Sequence, residues 1–587
     1  MSYILGITSP LSQNPAAALL KDGKIVAAVE EERFTRIKHA CDVLYPNNSV
    51  NYCLRSENIR LEDIDSINVS WGSASTILKK HISLFSKKPS PILIPNLIYG
   101  LKTIRKINKF ISNKIPINYY EHHRSHLAST HLCSGFKKSN ILSIDAVGEV
   151  DSTCLAIGTN DNIKIIKKYD FFNSLGILYH NFTGYLNFIP QWHEGKVMGL
   201  SSYGKPNHDL SFIIDIKKDS YRINNPIDNN FSYLDLLKNV FRYKKLEKHL
   251  DKNINLSRGY ALSKKGISTV TYPFGDMLYK NLGGNYKKEM NKFIQKEADV
   301  AASIQKTYEK ALISITTRLH ETSDSKNFSL AGGCALNCLA NYNLSRSDFV
   351  DNIFIQPAAN DAGSALGAAL LEAARHSNVN SKMEHAYLGP EYTNEEIKNT
   401  LDKHKLDYQY HEDITGTTTE LLIKGKVIAW FQGKMEFGPR ALGNRSILST
   451  PSGEETQDKV NRVKNRELWR PFGPSILVED VNKWFIDGKE SPFMTLCFEV
   501  KDDKKELVPA IVHVDGTTRP QTVSKENNKM YYNLINQFKR STGIPMLLNT
   551  SFNDKTEPIV CSPEDAIRNF KKIGLDYLAI GNYLVKK

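Results

Sequence analysis

Cysteine is scarce in this 587-residue chain, and no long hydrophobic run occurs in it. The eight cysteines lack a dense, regular spacing, which argues against a disulfide framework and favours reduced thiols. The most apolar stretch, residues 91–101, is too short to span a bilayer and is interrupted by Pro95. Residues 1–7 show no basic segment ahead of an apolar one, so a secretory signal peptide is not predicted. These absences predict a cytoplasmic protein without a membrane span.

The composition excludes several classes of protein. With 41% hydrophobic and 24% charged residues, the chain cannot be collagenous, of low complexity or largely disordered. Its length predicts two to four domains, and no short internal repeat is present. Basic residues outnumber acidic ones by 77 to 63, a formal charge of +14. Nucleic-acid binding or the handling of small anions would each account for this charge, and the scattered lysines favour the second.

Alternating apolar residues predict strands in the first half of the chain. Strands at residues 16–20 and 24–29 flank Asp22-Gly23, a strong signal for a two-residue hairpin turn. A further strand at residues 141–145 ends on a carboxylate and is expected to pair, across a turn, with a strand at 163–168.

Two successions of strand, glycine turn and helix predict an α/β fold. The first leads from residues 328–330 into Gly332-Gly333, and the second from 353–355 into a loop that contains Asp361. Loops that follow the strands of such sheets face ligands. We therefore expect Asp361, together with the strand-ending Asp145, to lie on ligand-facing loops.

A change of composition predicts the domain boundary. Between residues 374 and 394 the sequence becomes polar and loses its period, which predicts one domain at residues 1–380 and a second at 388–587. Residues 77–117 and 207–258 are predicted to be insertions, and neither carries a chemical signature of its own.

A histidine pair is a candidate for metal binding. His122 and His126 are four residues apart and would share one face of a helix. The zinc-protease pattern is excluded, because it needs a glutamate where His123 stands. Asp145 and Asp361 are the candidate oxygen ligands, and a mixed set of imidazoles and carboxylates favours iron or manganese. The alternative is a helix whose histidines serve only the structure.

The glycine turn at residues 332–337 is a candidate for phosphate binding. Backbone N–H groups at Gly332, Gly333 and the start of the next helix, near Asn337, could hold phosphate oxygens. The alternative interpretation is a tight turn that allows close packing.

The second half of the chain concentrates cationic and polar residues at loop positions. Residues 433–446 combine glycines with Arg440 and Arg445, whose planar forks suit phosphate or carboxylate. A compact anionic substrate is the natural counterpart of the set. Further members are Lys464, Arg470, Arg519, Ser551 and Asn553.

These segments together resemble the O-carbamoyltransferase family of antibiotic and nodulation-factor biosynthesis, the NodU/CmcH type. They occur in the family's order and span nearly the whole chain. The matching segments are residues 30–39, 122–126, 196–200, 332–337, 361–363, 435–446, 470–472, 513–522 and 549–553.

The resemblance implies a fold and an activity for each domain. The first domain would be an actin-like ATPase (ASKHA) fold, a duplicated ribonuclease-H-like α/β domain that resembles threonylcarbamoyl transferases. The second would be a YrdC-like α/β domain that converts carbamoyl phosphate and ATP into carbamoyl-adenylate and releases pyrophosphate. The carbamoyl group would then pass to a hydroxyl of a small-molecule natural product or glycan in the first domain, with release of AMP.

The resemblance also implies the site residues. Its metal ligands are His122, His126, Asp145 and Asp361, with iron as the metal, and Mg²⁺ is expected with ATP. Gly332, Gly333 and Asn337 would bind a nucleotide in the first domain. The pocket for carbamoyl phosphate and ATP in the second domain would comprise Arg440, Lys464, Arg470, Arg519, Ser551 and Asn553.

One departure from the family pattern concerns the transfer step. The family has a histidine where this chain has Gln13, and an amide cannot serve as a general base. Gln13 would then position the substrate, or another group would take the proton. The residues assigned to the transfer step are Lys38, Gln13 and Asp361.

Two other functions compete with carbamoyl transfer to a small molecule. The +14 charge suits a tRNA (threonyl)carbamoyl-modifying enzyme, but the sequence shows no aromatic–basic RNA-binding module, so nucleic acid is not expected as a partner. Gln13 would suit a non-catalytic nucleotide-binding regulator, but the complete set of second-domain residues argues against it. A symmetric homodimer is the default expectation for such an enzyme, and the sequence does not identify the acceptor.

Overall fold

The chain divides into two compact units. Met1–Val26 and Ala40–Lys382 form the first unit, and Ala27–His39 and Met383–Lys587 form the second. Strands and helices alternate in both, which confirms the predicted mixed α/β class. The computed structural model describes residues 1–9, 12–40, 43, 45–87, 97, 101, 105, 115–224, 274–284, 293–376, 379 and 381–587.

Twelve strands and ten helices are described before Met383. The strands are β1 (Tyr3–Ile7), β2 (Ala16–Lys21), β3 (Lys24–Glu30), β4 (Ser66–Val69), β5 (Ile117–Tyr119), β6 (Lys138–Gly148), β7 (Asp151–Thr159), β8 (Asn162–Asp170), β9 (Ile214–Ile216), β10 (Tyr221–Ile223), β11 (Asn327–Ala331) and β12 (Asn352–Ile355). The helices are α1 (Glu32–Thr35), α2 (Asn47–Ser56), α3 (Ala74–Lys87), α4 (His122–Ser134), α5 (Leu175–Tyr185), α6 (Glu194–Ser201), α7 (Gly275–Leu282), α8 (Gln295–Ser323), α9 (Cys338–Ser345) and α10 (Asp361–His376).

Two five-stranded sheets in this part of the chain share one topology. Their strand orders are β3-β2-β1-β4-β5 and β8-β7-β6-β11-β12. In each sheet the central strand is antiparallel to the second strand of the set and parallel to the fourth, which is parallel to the fifth. The same architecture is therefore built twice, although the sequence shows no short repeat.

The predicted hairpin is confirmed. Strands β2 and β3 are neighbours in the first sheet, and only Asp22 and Gly23 separate them. Both residues have a positive φ, 47° and 75°, as a two-residue turn of the type I′ class requires.

The predicted pairing of residues 141–145 with 163–168 is wrong. β6 pairs with β7, and β7 in turn pairs with β8, which contains residues 163–168. β7 escaped prediction because six of its first seven residues are buried, so that apolar and polar residues do not alternate along it.

The local positions of two candidate ligands also differ from the prediction. Asp145 does not end its strand but lies within β6, where the pairing with β7 is irregular between Ile144 and Gly148. Asp361 lies not in a loop but at the first residue of α10. This helix packs closely on α4, since a Cβ added to Gly367 would lie 1.8 Å from the carbonyl oxygen of Ser125.

The second unit is built around an eight-stranded mixed sheet of order β13-β23-β22-β14-β15-β21-β16-β20, beside a small sheet β17-β18-β19. Its strands are β13 (Tyr408–Tyr410), β14 (Ile428–Phe431), β15 (Arg445–Ser449), β16 (Gly473–Leu477), β17 (Phe485–Ile486), β18 (Phe498–Val500), β19 (Thr517–Thr518), β20 (Gln521–Val523), β21 (Met546–Ser551), β22 (Tyr577–Ile580) and β23 (Tyr583–Lys586). Its helices after Met383 are α11 (Asn394–Lys403), α12 (Ile414–Ile423), α13 (Glu455–Val463), α14 (Val481–Trp484), α15 (Asp502–Lys505), α16 (Lys529–Thr542) and α17 (Pro563–Ile573).

A short N-terminal segment belongs to this second unit. Within Ala27–His39, the buried guanidinium of Arg33 donates to Glu30 at 3.1 Å and to the carbonyl of Gly438 at 2.8 Å. Glu30 accepts in return from the Gly438 N–H at 2.9 Å. The sequence-based boundary had placed these residues in the first domain, because their partners lie some 400 residues further along the chain.

The two predicted insertions are only partly described. Residues 88–114, apart from three single positions, and residues 225–258 lie outside the described part of the chain. Among the described residues no helix combines the length and the apolar character that a membrane crossing demands.

The buried pair of Arg33 and Glu30 generates a stability prediction. Arg33→Leu leaves the Glu30 carboxylate buried without its cation and should lower the free energy of unfolding of the second unit by about 3–5 kcal/mol. Urea unfolding followed by tryptophan fluorescence measures it. Arg462→Leu is the control in the same unit, because the Arg462 side chain is 72% exposed beside Asp458, and a change below about 0.5 kcal/mol is expected. Equal effects of the two variants would contradict the prediction.

Candidate metal centre and anion pocket

Three elements of the first unit bring four metal-binding side chains together. Helix α4 begins at His122 and presents His122 and His126 on one face, as the i, i+4 spacing predicts. Strand β6 supplies Asp145, and the first residue of α10 supplies Asp361. One donor atom from each of the four residues lies within 4.8 Å of the other three. The structure therefore brings together all four residues predicted as ligands.

The distances between these donors fit one ion. The Nε2 atoms of His122 and His126 are 3.1 Å apart, and Asp145 Oδ2 lies 3.5 Å and 3.2 Å from them. Asp361 Oδ1 is 3.8 Å and 3.9 Å from the same two nitrogens. Ligands at bonds of about 2.0–2.2 Å around one ion are separated by roughly such distances. The donor set of two imidazoles and two carboxylates is one that iron or manganese accepts.

Electrostatics hold the carboxylate of Asp145 in the form that binds metal. Burial alone would raise its pKa, but hydrogen bonds and charge from His122 and His126 hold the pKa of Asp145 well below its usual range. Burial would lower the pKa of His122, yet the hydrogen bond to Asp145 and the charge of Asp361 raise it. Burial, followed by the charges of His122 and His126, keeps the pKa of His123 well below its usual value.

Gln13 contacts the candidate metal centre through its backbone. The second carboxylate oxygen of Asp361 accepts from the Gln13 N–H and from the Ser12 hydroxyl, each at 2.9 Å. The side-chain amide of Gln13 donates to Gln191, whose own backbone is left-handed at φ 67°. Gln13 is thus placed to orient Asp361, and its side chain is held by a residue that the sequence did not single out.

The predicted glycine loop lies against the same centre. The Gly333 N–H donates to Asp145 Oδ2 at 3.3 Å. Gly332 has φ 88°, and a Cβ there would lie 2.1 Å from the carbonyl oxygen of Ile144, so only glycine fits. The side chain of Asn337 caps α9 by accepting from the Ala340 N–H and is paired with Gln305. Gly332 therefore agrees with the close-packing interpretation of this loop, and the Gly333 N–H is hydrogen-bonded to a candidate metal ligand.

A second polar site lies in the second unit, around Lys464. The Lys464 ammonium donates to the carbonyl and the hydroxyl of Ser551, and to the carbonyl and side-chain oxygen of Asn553 at 3.0 Å and 3.1 Å. Ser551 in turn donates to Asn553 at 2.6 Å. Three of the six residues predicted for the second domain therefore form one cluster.

More cations surround this cluster. Burial, and then the charges of Arg466, Lys38 and Arg470, hold the pKa of Lys464 well below its usual range. Burial and the charge of neighbouring arginines likewise lower the pKa of Arg466, and burial followed by the charge of Arg519 lowers that of Arg470. Such mutual repulsion favours a bound anion, which would offset it. We call Lys464, Arg466, Arg470 and Arg519 the anion pocket.

Arg519 of the pocket and His513, on which the charge of Arg519 acts, have unusual surroundings. Burial lowers the pKa of His513 to about 4, and its Nε2 lies 3.2 Å from the carbonyl of Phe472. His513 is therefore neutral at physiological pH. Among the described residues, Arg519 Nε is buried and has no hydrogen-bond partner.

Three other cations that the sequence singled out are not counted in the anion pocket, although the charge of Lys38 acts on Lys464. Arg440 is half-buried and adjoins Ala441, whose carbonyl accepts from Asn549 of β21. Lys38 belongs to the second unit and donates to the carbonyl of Lys555 at 2.5 Å. Arg445 is fully buried.

The planar fork predicted for Arg445 is occupied by the protein itself. It donates to four backbone carbonyls and lies 3.7 Å over the ring of Phe431. Arg445 is therefore structural, and the expectation that its fork binds substrate is wrong. The four carbonyls are those of Gln432, Gly433, Asn444 and Pro390.

Sequence reasoning missed two groups of residues near these sites. Arg466 lies between the predicted pocket residues Lys464 and Arg470, but nothing in the local sequence distinguishes it from the exposed Arg462. Lys80 lies in a segment interpreted as an insertion without chemistry, yet its ammonium contacts Glu149 at 2.8 Å and Glu121 at 2.7 Å beside the metal centre. No local signal could have linked Lys80 to these carboxylates.

Two family models match most of the chain. The model of the carbamoyltransferase N-terminus matches residues 3–370, and that of the carbamoyltransferase C-terminus matches residues 419–587.

Curated relatives agree with this match. An uncharacterized protein of Synechocystis is 36% identical, over 100% of this chain and 97% of that protein. The nodulation protein NolNO of Sinorhizobium fredii is 35% identical, over 99% of this chain and 80% of that protein. The 3'-hydroxymethylcephem-O-carbamoyltransferase of Amycolatopsis lactamdurans is 32% identical over 253 residues, 43% of this chain and 47% of that protein.

The geometry of the four donors predicts a change in metal content. The purified chain should hold about one metal ion after gel filtration. His126→Ala should lower that content at least tenfold, because one of the four metal ligands is lost. Elemental analysis by mass spectrometry measures it. His376→Gln is the control, since His376 ends the helix that Asp361 begins and its side chain is 68% exposed. Metal content that is unchanged in the His126 variant would contradict the prediction.

Proposed function

Because the chain belongs to the carbamoyltransferase family, we propose that it is an ATP-dependent O-carbamoyltransferase that acts on a hydroxyl of a small-molecule natural product or glycan. The cation-rich pocket of the second unit is the observation that carries this proposal. Lys464 contacts Ser551 and Asn553, the charges of Arg466 and Arg470 act on Lys464, and the charge of Arg519 acts on both arginines. Such a concentration of cations suits the phosphates of carbamoyl phosphate and ATP.

Carbamoyl-adenylate formation is the step proposed for the second unit. Water cleaves carbamoyl phosphate to carbamate and phosphate, and a carbamate oxygen then attacks the α-phosphorus of ATP and displaces pyrophosphate. Negative charge gathers on the phosphates in both reactions, so fixed cations lower both barriers. Mg²⁺ is proposed to accompany ATP. Lys464 is the central donor, because Ser551 and Asn553 hold its ammonium in place.

Transfer to the acceptor is the step proposed for the first unit. The acceptor oxygen attacks the carbamoyl carbon, the bond to AMP breaks, and the hydroxyl proton leaves with the AMP phosphate or to solvent. Asp361 and Gln13 lie at this site, and Gln13 acts by orientation because its amide cannot take a proton. An iron ion held by His122, His126, Asp145 and Asp361 would supply a Lewis acid there.

The proposed folds follow the same division. The doubled sheet order of the first unit supports a duplicated ribonuclease-H-like, actin-like ATPase domain for residues 1–380. In such a domain Gly332 and Gly333 would lie at the nucleotide end of the adenylate, and the Gly333 N–H, which donates to Asp145, places this loop beside the metal centre. For residues 388–587 we propose a YrdC-like domain on the strength of the pocket chemistry.

Exchange of labelled pyrophosphate into ATP tests the proposal. With carbamoyl phosphate and Mg²⁺ present and no acceptor, the purified chain should catalyse exchange, and omission of carbamoyl phosphate should abolish it. Exchange reports the adenylation step alone, so the unknown acceptor is not needed. A folded, metal-loaded chain that shows no exchange would refute the assignment.

The anion pocket yields a second prediction for the same assay. Lys464→Met removes the ammonium that Ser551 and Asn553 hold among the cations of the pocket and should lower the exchange rate about 10²–10³-fold. Lys459→Met is the matched control on the adjoining helix α13, because Lys459 is exposed and should leave exchange within about twofold of the unmodified chain. An exchange rate that Lys464→Met leaves unchanged would remove this residue from the proposed mechanism.

A further inference from the structure

The helix that carries both histidine ligands is capped by a residue from elsewhere in the chain. Helix α4 begins at His122, and its own N-cap residue, Glu121, makes no side-chain cap. Instead the His122 N–H donates to the carboxylate of Glu149 at 3.1 Å. Because the first N–H groups of a helix have no partner within the helix, this contact fixes where α4 starts.

Glu149 is itself held in a strained and fully occupied position. Its φ is 55°, which non-glycine residues rarely adopt, and its side chain is fully buried. The carboxylate also accepts from the Gly72 N–H at 2.6 Å and from Lys80 at 2.8 Å. The preceding Gly148 leaves no space for a Cβ, which would lie 2.3 Å from the ring of His122. The turn therefore contacts His122 at two points: Glu149 accepts from its backbone N–H, and Gly148 lies against its ring.

Lys80 fixes the orientation of this carboxylate. Its ammonium lies 2.7 Å from Glu121, 2.8 Å from Glu149 and 3.2 Å from Asp151. Lys168 reaches Glu121 and Asp151 as well, at 2.8 Å and 3.2 Å. Two lysines therefore fill the space among three carboxylates, so this acidic cluster is an ion-pair network rather than a second metal site.

We propose that Glu149, oriented by Lys80, is a positioning residue that holds His122 in place for metal binding. Glu149 acts through the His122 backbone N–H, to which its carboxylate is hydrogen-bonded, and is not itself one of the four candidate ligands. The inference rests on the proposed metal centre. The same strand and turn carry Asp145 and Glu149, so one segment supplies a ligand and fixes the position of another.

Titration of the chelator-treated full chain with Co²⁺ alone, followed by its visible absorption, tests this role. Glu149→Ala should raise the Kd for Co²⁺ about 10–100-fold, as loss of outer-sphere support typically does. Asp151→Ala is the matched control, because it also removes a carboxylate from Lys80 but leaves the His122 N–H contact intact, and it should change the Kd less than about threefold. Glu149→Gln keeps an oxygen acceptor for the N–H groups and should restore most of the affinity.

Several results would overturn the inference. They are an unchanged Kd in Glu149→Ala, an equal loss in Asp151→Ala, or no Co²⁺ binding by the unmodified chain. If Glu149→Ala does not fold, Lys80→Met replaces it, and a Kd no weaker than that of Asp151→Ala overturns the proposal. Pyrophosphate exchange measured on the same samples separates the two questions, since its absence refutes the proposed function and leaves the Co²⁺ comparison intact.

Discussion

The metal centre depends on backbone segments that pack too closely against their neighbours to leave room for a side chain. His122 and His126 come from one helix, but Asp145 and Asp361 lie on other elements and must approach to within 4 Å. Glycines at three places make this possible. A Cβ at the first glycine would overlap the ring of His122. A Cβ at the second would overlap the carbonyl of Ile144, and a Cβ at the third the carbonyl of Ser125. Larger residues would push the ligand-bearing elements apart. These glycines are Gly148, Gly332 and Gly367.

The part of the fold that sequence could predict is the part that local patterns determine. Alternation and turn chemistry located the hairpin at Asp22-Gly23, and short apolar runs located strands such as β11 and β12. The errors concern long-range order. Strand β7 is buried at most positions and lacks a period, and Ala27–His39 joins the second unit through partners such as Gly438 that lie hundreds of residues away. No short window of sequence contains that information.

The candidate site residues were likewise predictable from local patterns only in part. The spacing of His122 and His126 alone left a structural helix as an open alternative, and the approach of Asp145 and Asp361 argues for a ligand set. Arg445 shows the opposite error. Its neighbourhood of glycines suggested a phosphate fork, but backbone carbonyls, that of Gly433 among them, occupy its guanidinium. The type of a residue and its neighbours in sequence do not reveal which acceptors surround it after folding.

Two clusters of charged side chains differ in how far the protein itself compensates their charge. The difference explains why one of them favours a bound ligand and the other does not. Around Lys80 and Lys168, three carboxylates surround two ammonium groups, and Glu149 also accepts from the Gly72 and His122 N–H groups. In the anion pocket four cations repel one another, and the carboxylates that act on them are Glu467 and Asp554, the second of which also pairs with Lys572. Burial makes such an imbalance costly, and a bound phosphate removes the cost. Binding of an anion would return the free energy that the fold gives up to hold these cations together, which is the basis of the proposed preference for phosphates over neutral molecules.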